Sequence, residues 1–373
     1  MSSISLKIRR ALHVARRPAL AVLFGLFVAA GVTAMVARVH GVRHEPLAEN
    51  DFLVVPSGGA FYEHDDWLGS RHVADSYLYF KKYYRKKLYA QVVCHTDELG
   101  RRRTVQEREN WTRFAIFAPC SFSFGDGVLD EETLPSQFAR QVAGDGIAVY
   151  NYGVNAWGPN NLLALLTDPR FPAGIPEKRG FLIYSFIDPH VNRAIAQRSF
   201  LAANRNYSCP HYVVARDGTL RRKGLVSAAH PAYDSIWEIV ADRLGLIGTF
   251  YRDWPERLKP EHFLLTARLI AESQAEFAKL FDAQGFFVVF YPSCAIVESM
   301  KPALDRYHVR YLDYTDATPC DRFTGSVYLQ PDGHPTAATY RVIAARLAAD
   351  LAELGVIKQA TVNREQLSVS GRK

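Results

Sequence analysis

The chain has 373 residues, 48% of them hydrophobic and 22% charged, which suits one large globular domain with insertions and excludes a disordered or fibrous chain. The formal net charge of +7 is not a nucleic-acid signal: residues 1–43 hold seven of the 45 basic residues and no acid, so the other 38 basic residues meet 38 acidic ones. A basic patch on the folded part has no support in composition.

Residues 1–18 form a basic segment with Lys7, Arg9, Arg10, Arg16 and Arg17, followed by an uncharged apolar run over 19–37. As a helix, that run matches the ~30 Å hydrocarbon core of a bilayer and reads as a transmembrane anchor. The basic residues before it keep the N-terminus cytoplasmic and send the rest across the membrane. A cleaved signal peptide is the alternative, with Thr33, Ala34 and Ala37 small enough for a peptidase. On either reading the remainder works outside the cytoplasm, in the periplasm of a Gram-negative host. Five cysteines leave at least one unpaired within the chain. Cys294 and Cys320 each follow a strand-like run and are a candidate pair.

Residues 44–110, rich in Tyr, His and Arg, read as a small β-containing appendage. From 111 to 357 short apolar runs alternate with amphipathic ones. Strands are expected at 114–118, 147–152, 180–187, 286–291 and 309–314, each a near-continuous apolar run suited to a parallel sheet covered on both faces. Helices are expected at 134–142, 191–198, 261–281 and 336–354. The order predicts an α/β fold with a doubly wound, mostly parallel five-stranded sheet, as in flavodoxin-like proteins. Residues 205–258 interrupt the alternation as an insertion. It holds a hairpin over 212–220, turning at Asp217 and Gly218, and a helical segment over 235–244. Residues 358–373 read as a polar tail.

Two stretches carry the chemistry. Residues 114–118 run as a strand into Ser121, at the carboxyl edge of the sheet where ligands bind in open α/β folds. Some 200 residues later, Asp332 and His334 stand just before the last helix. A serine hydroxyl becomes a nucleophile when an imidazole takes its proton and a carboxylate fixes that imidazole's tautomer. Cys120 and Ser123 are alternative nucleophiles in the same turn, although only one neighbour on a turn can face the histidine. His95, His211, His230 and His308 lack metal-ligand spacing, so neither a metal nor another cofactor is expected.

Residues 119–125, Pro-Cys-Ser-Phe-Ser-Phe-Gly, resemble the Gly-Cys-Ser-Phe-Thr-Phe-Gly nucleophile block of the bacterial membrane-anchored branch of SGNH (GDSL-type) hydrolases. Residues 149–158 are similar to that family's second block and 332–335 to its last, while 96–104 resemble the short β segment before the nucleophile. The resemblance implies Ser121, His334 and Asp332 as catalytic triad, with the backbone N–H groups of Ser121 and Ala156 holding the oxyanion. It also implies an Asn donor in a third block, where this chain has Ile187; His190 and Asn192 stand nearby as substitutes. Ala156 replaces the second block's glycine, and Asp332 lies two residues before the histidine instead of the commoner three. Asn155, Trp157 and Asn160 sit where a sugar would stack or hydrogen-bond, with a buried Trp and a turn Asn as the plain alternative. The expected function is an exported serine esterase cleaving O-acyl esters, acetyl foremost, on a small molecule or glycan. An O-acyltransferase with the same triad, or a non-catalytic envelope binding protein, are the alternatives.

Overall fold

The computed structural model describes residues 52–57, 61–84, 87–107, 110–197, 201, 209–229, 258–291, 296–316, 327–329 and 333–358. The expected anchor and tail, the 235–244 helix, Cys294, Cys320 and Asp332 lie outside them. No helix among the described residues is long and apolar enough to cross a membrane.

Before the main sheet come five strands: β1 (Phe52–Ser57), β2 (Tyr62–Asp65), β3 (Gly69–His72), β4 (Tyr77–Tyr84) and β5 (Lys87–His95). β1, β4 and β5 form one antiparallel sheet and β2 pairs with β3. On β4, Leu78, Phe80 and Lys82 share the buried face and alternate with more exposed neighbours, the period-two pattern of a half-covered strand. That face, with Phe61, Ala90, Val92 and Cys94, packs against Phe124 of the main domain.

The main sheet comprises β6 (Arg113–Ala118), β7 (Ile147–Asn151), β8 (Arg179–Phe186), β11 (Asp282–Phe290) and β12 (Tyr311–Asp313), with β9 (Pro210–Val214) and β10 (Leu220–Leu225) forming the expected hairpin between them. Its order is β12-β11-β8-β6-β7, and every pair is parallel. All five expected strands are therefore present. Their apolar runs follow from burial on both faces: Phe114 to Ala118 and Phe181 to Phe186 are sealed from solvent.

The helices are α1 (Ser121–Phe124), α2 (Leu134–Gln141), α3 (Pro159–Leu166), α4 (Pro189–Ala194), α5 (Pro260–Leu280), α6 (Val297–Arg306) and α7 (Ala337–Glu353). On one face of the sheet α5 buries Phe263, Ala267, Ile270 and Phe277 beside residues of α3 and α6. On the other, α7 sets Tyr340, Ile343, Ala344, Leu347 and Leu351 against Leu134 and Phe138 of α2. Helices on both faces make the sheet doubly wound. Thr133 and Thr336 cap α2 and α7 by accepting from the N–H groups of Ser136 and Thr339, as hydroxyl N-caps do. α1, α3 and α6 were not expected from the sequence; α3 begins Pro-Asn-Asn, which reads as a loop until Pro159 is seen at the first helical turn.

The loop after β7 lies directly against α1. Tyr152 N–H donates to Phe117 O and Val154 N–H to Pro119 O, both at 2.8 Å. A Cβ at Gly153 would sit 2.1 Å from Phe124 N and 2.6 Å from Ser123 C, so this contact is backbone on backbone. Gly153→Ala is expected to lower the unfolding free energy by about 1–3 kcal/mol, the usual cost of overpacking, in urea denaturation.

Candidate active site

Strand β6 ends at Ala118, and Cys120 caps a single helical turn that opens on Ser121. Gly125 closes the turn with a φ of 85°, a left-handed conformation that costs glycine no Cβ clash. Gly125 and Asp126 both donate their N–H groups to Ser121 O, at 2.8 and 3.0 Å. The backbone of Ser121 is thus held at the carboxyl edge of the sheet.

His334 arrives from the other end of the chain. Its carbonyl accepts from Leu329 N–H at 2.7 Å, Thr336 N–H donates to Val327 O at 3.0 Å, and Tyr328 bridges Pro335. Those bonds fix the loop before α7. His334 Nε2 then stands 2.9 Å from Ser121 Oγ, with the imidazole against the Phe122 ring at 5.1 Å between centroids. The serine and histidine named from sequence therefore meet across 213 residues at hydrogen-bond distance. Asp332 lies outside the described residues.

The rival nucleophiles face elsewhere. The Cys120 thiol is sealed in the core with Sγ 3.9 Å from Ser185 O, and burial pushes its pKa up. Ser123 Oγ donates to Ser185 Oγ at 2.8 Å, which in turn shares a 3.0 Å hydrogen bond with the Tyr291 hydroxyl. Neither is exposed.

Ala156 has a φ of +66°, a left-handed conformation that glycine adopts freely and that an L-residue takes at a steric cost. Asn155 beside it donates through Nδ2 to Asp126 Oδ2 at 3.3 Å. Ile187, in the place of the third-block Asn, is buried and has no side-chain donor.

Four candidate contacts are corrected. His190 is fully buried, with Nδ1 2.9 Å from the Tyr184 hydroxyl; burial, reinforced by the Arg193 charge, drives its pKa well below the usual histidine value. It lies in the core beside Tyr184 and Phe186. Asn192 spends its amide on Gln197 Oε1. Trp157 is buried, donates to Ser70 O at 3.0 Å and lines a cavity of about 220 Å³ whose walls include neither Ser121 nor His334. Asn160 is buried and donates to Arg193 O and Pro210 O. Trp157 and Asn160 take the plain structural roles, joining the second block to β3, α4 and β9.

Three residues around Ser121 had not been singled out. Arg102 is wholly buried, and its guanidinium threads the turn from behind: Nη1 donates to Phe124 O at 2.9 Å and Gly125 O at 2.6 Å, Nη2 to Val128 O at 2.7 Å, and Nε to Asp130 Oδ1 at 3.0 Å. Asp126 lies on the open side, with Oδ2 3.8 Å from His334 Nε2. Lys82 of β4 places Nζ 2.9 Å from Asp126 Oδ1. The signal for Lys82 was its period-two place behind Leu78 and Phe80, where a lysine is out of character. Among the described residues no cluster of His, Cys, Asp and Glu has a geometry that would hold a metal ion.

No family model matches the chain, and no curated protein does. Among solved structures, an acetyl xylan esterase from the rumen bacterium Butyrivibrio proteoclasticus is similar at 11% identity, covering 77% of this chain and 72% of that one with a TM-score of 0.38. A second crystal structure is similar at 15% identity, over 66% of this chain and 98% of its own, with a TM-score of 0.36. Likenesses so distant do not bear on the chemistry.

Two outcomes follow from the turn. Arg102→Met is expected to cost about 3–5 kcal/mol of stability, the range for stranding a buried charged partner, as read by urea denaturation. Ala156→Gly, by relieving a left-handed alanine while loosening the unfolded chain, is expected to raise stability by up to about 1 kcal/mol in the same assay.

Proposed function

We propose that the protein is a serine esterase working by acyl transfer through Ser121 and His334, with Asp332 as the group that orients the imidazole. The observation that carries this reading is the 2.9 Å contact between His334 Nε2 and Ser121 Oγ, at the edge of the sheet where the fold leaves a crevice.

The reaction runs in two halves. His334 Nε2 takes the Ser121 proton as Oγ bonds to the ester carbonyl carbon, and the carbonyl oxygen becomes an oxyanion. First-turn N–H groups at Ser121, with Ala156 in its glycine-like conformation, are the assigned donors; stabilising charge where it develops is commonly the largest catalytic contribution. The carbon–oxygen bond to the alcohol then breaks, and the imidazolium returns the proton to the departing oxygen. Water, activated in turn by His334, attacks the acyl-enzyme and releases the acid. A sugar hydroxyl in place of that water makes the same site an O-acyltransferase.

Ser121, Asp126 and His334 converge at the carboxyl edge of the sheet, and acetyl esters of a glycan are the substrate we assign, on the resemblance of residues 119–125 alone. The N-terminal run over 19–37 is the basis for assigning a membrane-anchored, extracytoplasmic location. Ile187 favours one competing reading, a binding protein that has lost part of its oxyanion site, since loss of one oxyanion donor costs about 10²–10³ in rate.

The test uses the full-length chain in detergent with phenyl acetate. Ser121→Ala and His334→Ala are each expected to reduce kcat/KM by about 10³-fold or more, as removal of either member of a serine–histidine pair does, and a fluorophosphonate is expected to label Ser121. Undiminished hydrolysis in both variants removes Ser121 from the mechanism. An inert, unlabelled parent shifts the assignment to the binding protein.

A further inference from the structure

The proposed chemistry has no use for Asp126 or Lys82, although both stand at its centre. Asp126 follows the nucleophile turn, and its side chain is 14% exposed beside a His334 side chain that is 18% exposed. The two groups open onto the same solvent. Asp126 Oδ1 is taken by Lys82 Nζ at 2.9 Å, and that lysine side chain is only 4% exposed. Oδ2 accepts from Asn155 Nδ2 at 3.3 Å and lies 3.8 Å from His334 Nε2. That distance is beyond a direct hydrogen bond and leaves the two atoms side by side.

Nε2 marks where the alcohol oxygen of the ester must sit, because it hands that oxygen its proton. A group attached to the next carbon of the alcohol therefore falls beside Oδ2. A carboxylate oxygen only accepts, so it selects a donor. Lys82 balances the charge, so the pair draws no cation and a neutral hydroxyl is the fitting partner.

We propose that Asp126, held by Lys82 of the N-terminal strands, reads a second hydroxyl on the alcohol portion of the ester, next to the oxygen that carries the acyl group. Asp126 is thus a specificity determinant, and Lys82 positions it. The substrate class is an ester of a vicinal diol, as in a partly acylated sugar or polyol. The inference rests on the esterase reading and adds to it a rule for the leaving alcohol.

A matched pair of esters tests it: 2-hydroxyethyl acetate and 2-methoxyethyl acetate share the acyl group and differ in whether the neighbouring oxygen can donate. Phenyl acetate serves as reference for the acylation chemistry. The full-length parent is expected to favour the hydroxy ester in kcat/KM by about tenfold or more, the range for a hydrogen bond to a charged group. Asp126→Ala is expected to bring that ratio close to one. Because it strands a buried lysine, the double variant Asp126→Leu, Lys82→Met is run beside it, leaving neither charge unpaired; its ratio is also expected near one. A parent that turns over phenyl acetate but does not distinguish the matched esters overturns the inference and leaves the esterase reading standing. So does a ratio that survives in the folded double variant, since the pair would then only dock the strands. A parent inert toward all three esters overturns both.

Discussion

The guanidinium of Arg102 is the constraint on which the turn carrying Ser121 depends. Four hydrogen bonds run from it into residues 124–130: to Phe124 O, Gly125 O, Val128 O and Asp130 Oδ1. Those three carbonyls follow a helix of a single turn, where the last carbonyls lack intrahelical partners; Asn151 Nδ2 at 3.4 Å from Phe124 O and Val128 N–H at 3.3 Å from Gly125 O are longer contacts than the guanidinium's. A buried arginine is costly in itself and becomes tolerable when its fork of donors is filled. Here the fork is filled mainly by backbone, so the charge also sets the path of the chain. Its plane lies over the Phe124 ring, 4.6 Å from the centroid, and Asp130 is in turn held 2.6 Å from His95 Nδ1. The segment before the main sheet is therefore wired into the turn that presents Ser121.

The opposite side of the turn is held by shape. Gly153 brings one backbone against another, and Ala156 takes a left-handed conformation three residues later. An alanine there bears strain that a glycine would not. Ile187 is different in kind, since no backbone conformation can turn its side chain into a donor.

How much could be read beforehand depended on what burial does to a sequence. The strands β6, β7, β8 and β11 were legible because both faces are covered, which writes a near-continuous apolar run into each; β12, Tyr311–Asp313 at the sheet edge, is only partly buried. The N-terminal strands were only coarsely legible, since Tyr, Lys and Arg alternate there with single apolar residues. Ser121 and His334 could be paired beforehand because one stands just after the first strand of the main sheet and the other just before the last helix, and the structure brings them to 2.9 Å. Residue type misled wherever depth decided the role. Trp157, Asn160 and His190 are the right kinds of residue for binding a sugar, yet they are buried and hydrogen-bonded inside the protein, to Ser70 O, to Arg193 O and Pro210 O, and to the Tyr184 hydroxyl. Arg102, Asp126 and Lys82 were missed for the converse reason: among 45 Lys and Arg and 38 Asp and Glu residues, nothing marks a buried ion except its position in a pattern.

That last group changes what the N-terminal strands are for. A separable appendage would meet the main domain through a polar, loosely packed interface. Here Phe61, Phe80 and Val92 pack on Phe124, Arg102 fills the turn from beneath, and Lys82 reaches the Asp126 carboxylate beside the His334 imidazole. Contacts of three kinds converge on residues 124–130. Breaking any of them would leave an apolar face, a set of carbonyls or a carboxylate without its partner. The residues before β6 and the nucleophile turn are thus one structural unit, and the physical boundary of the site runs through the strands that precede the α/β sheet.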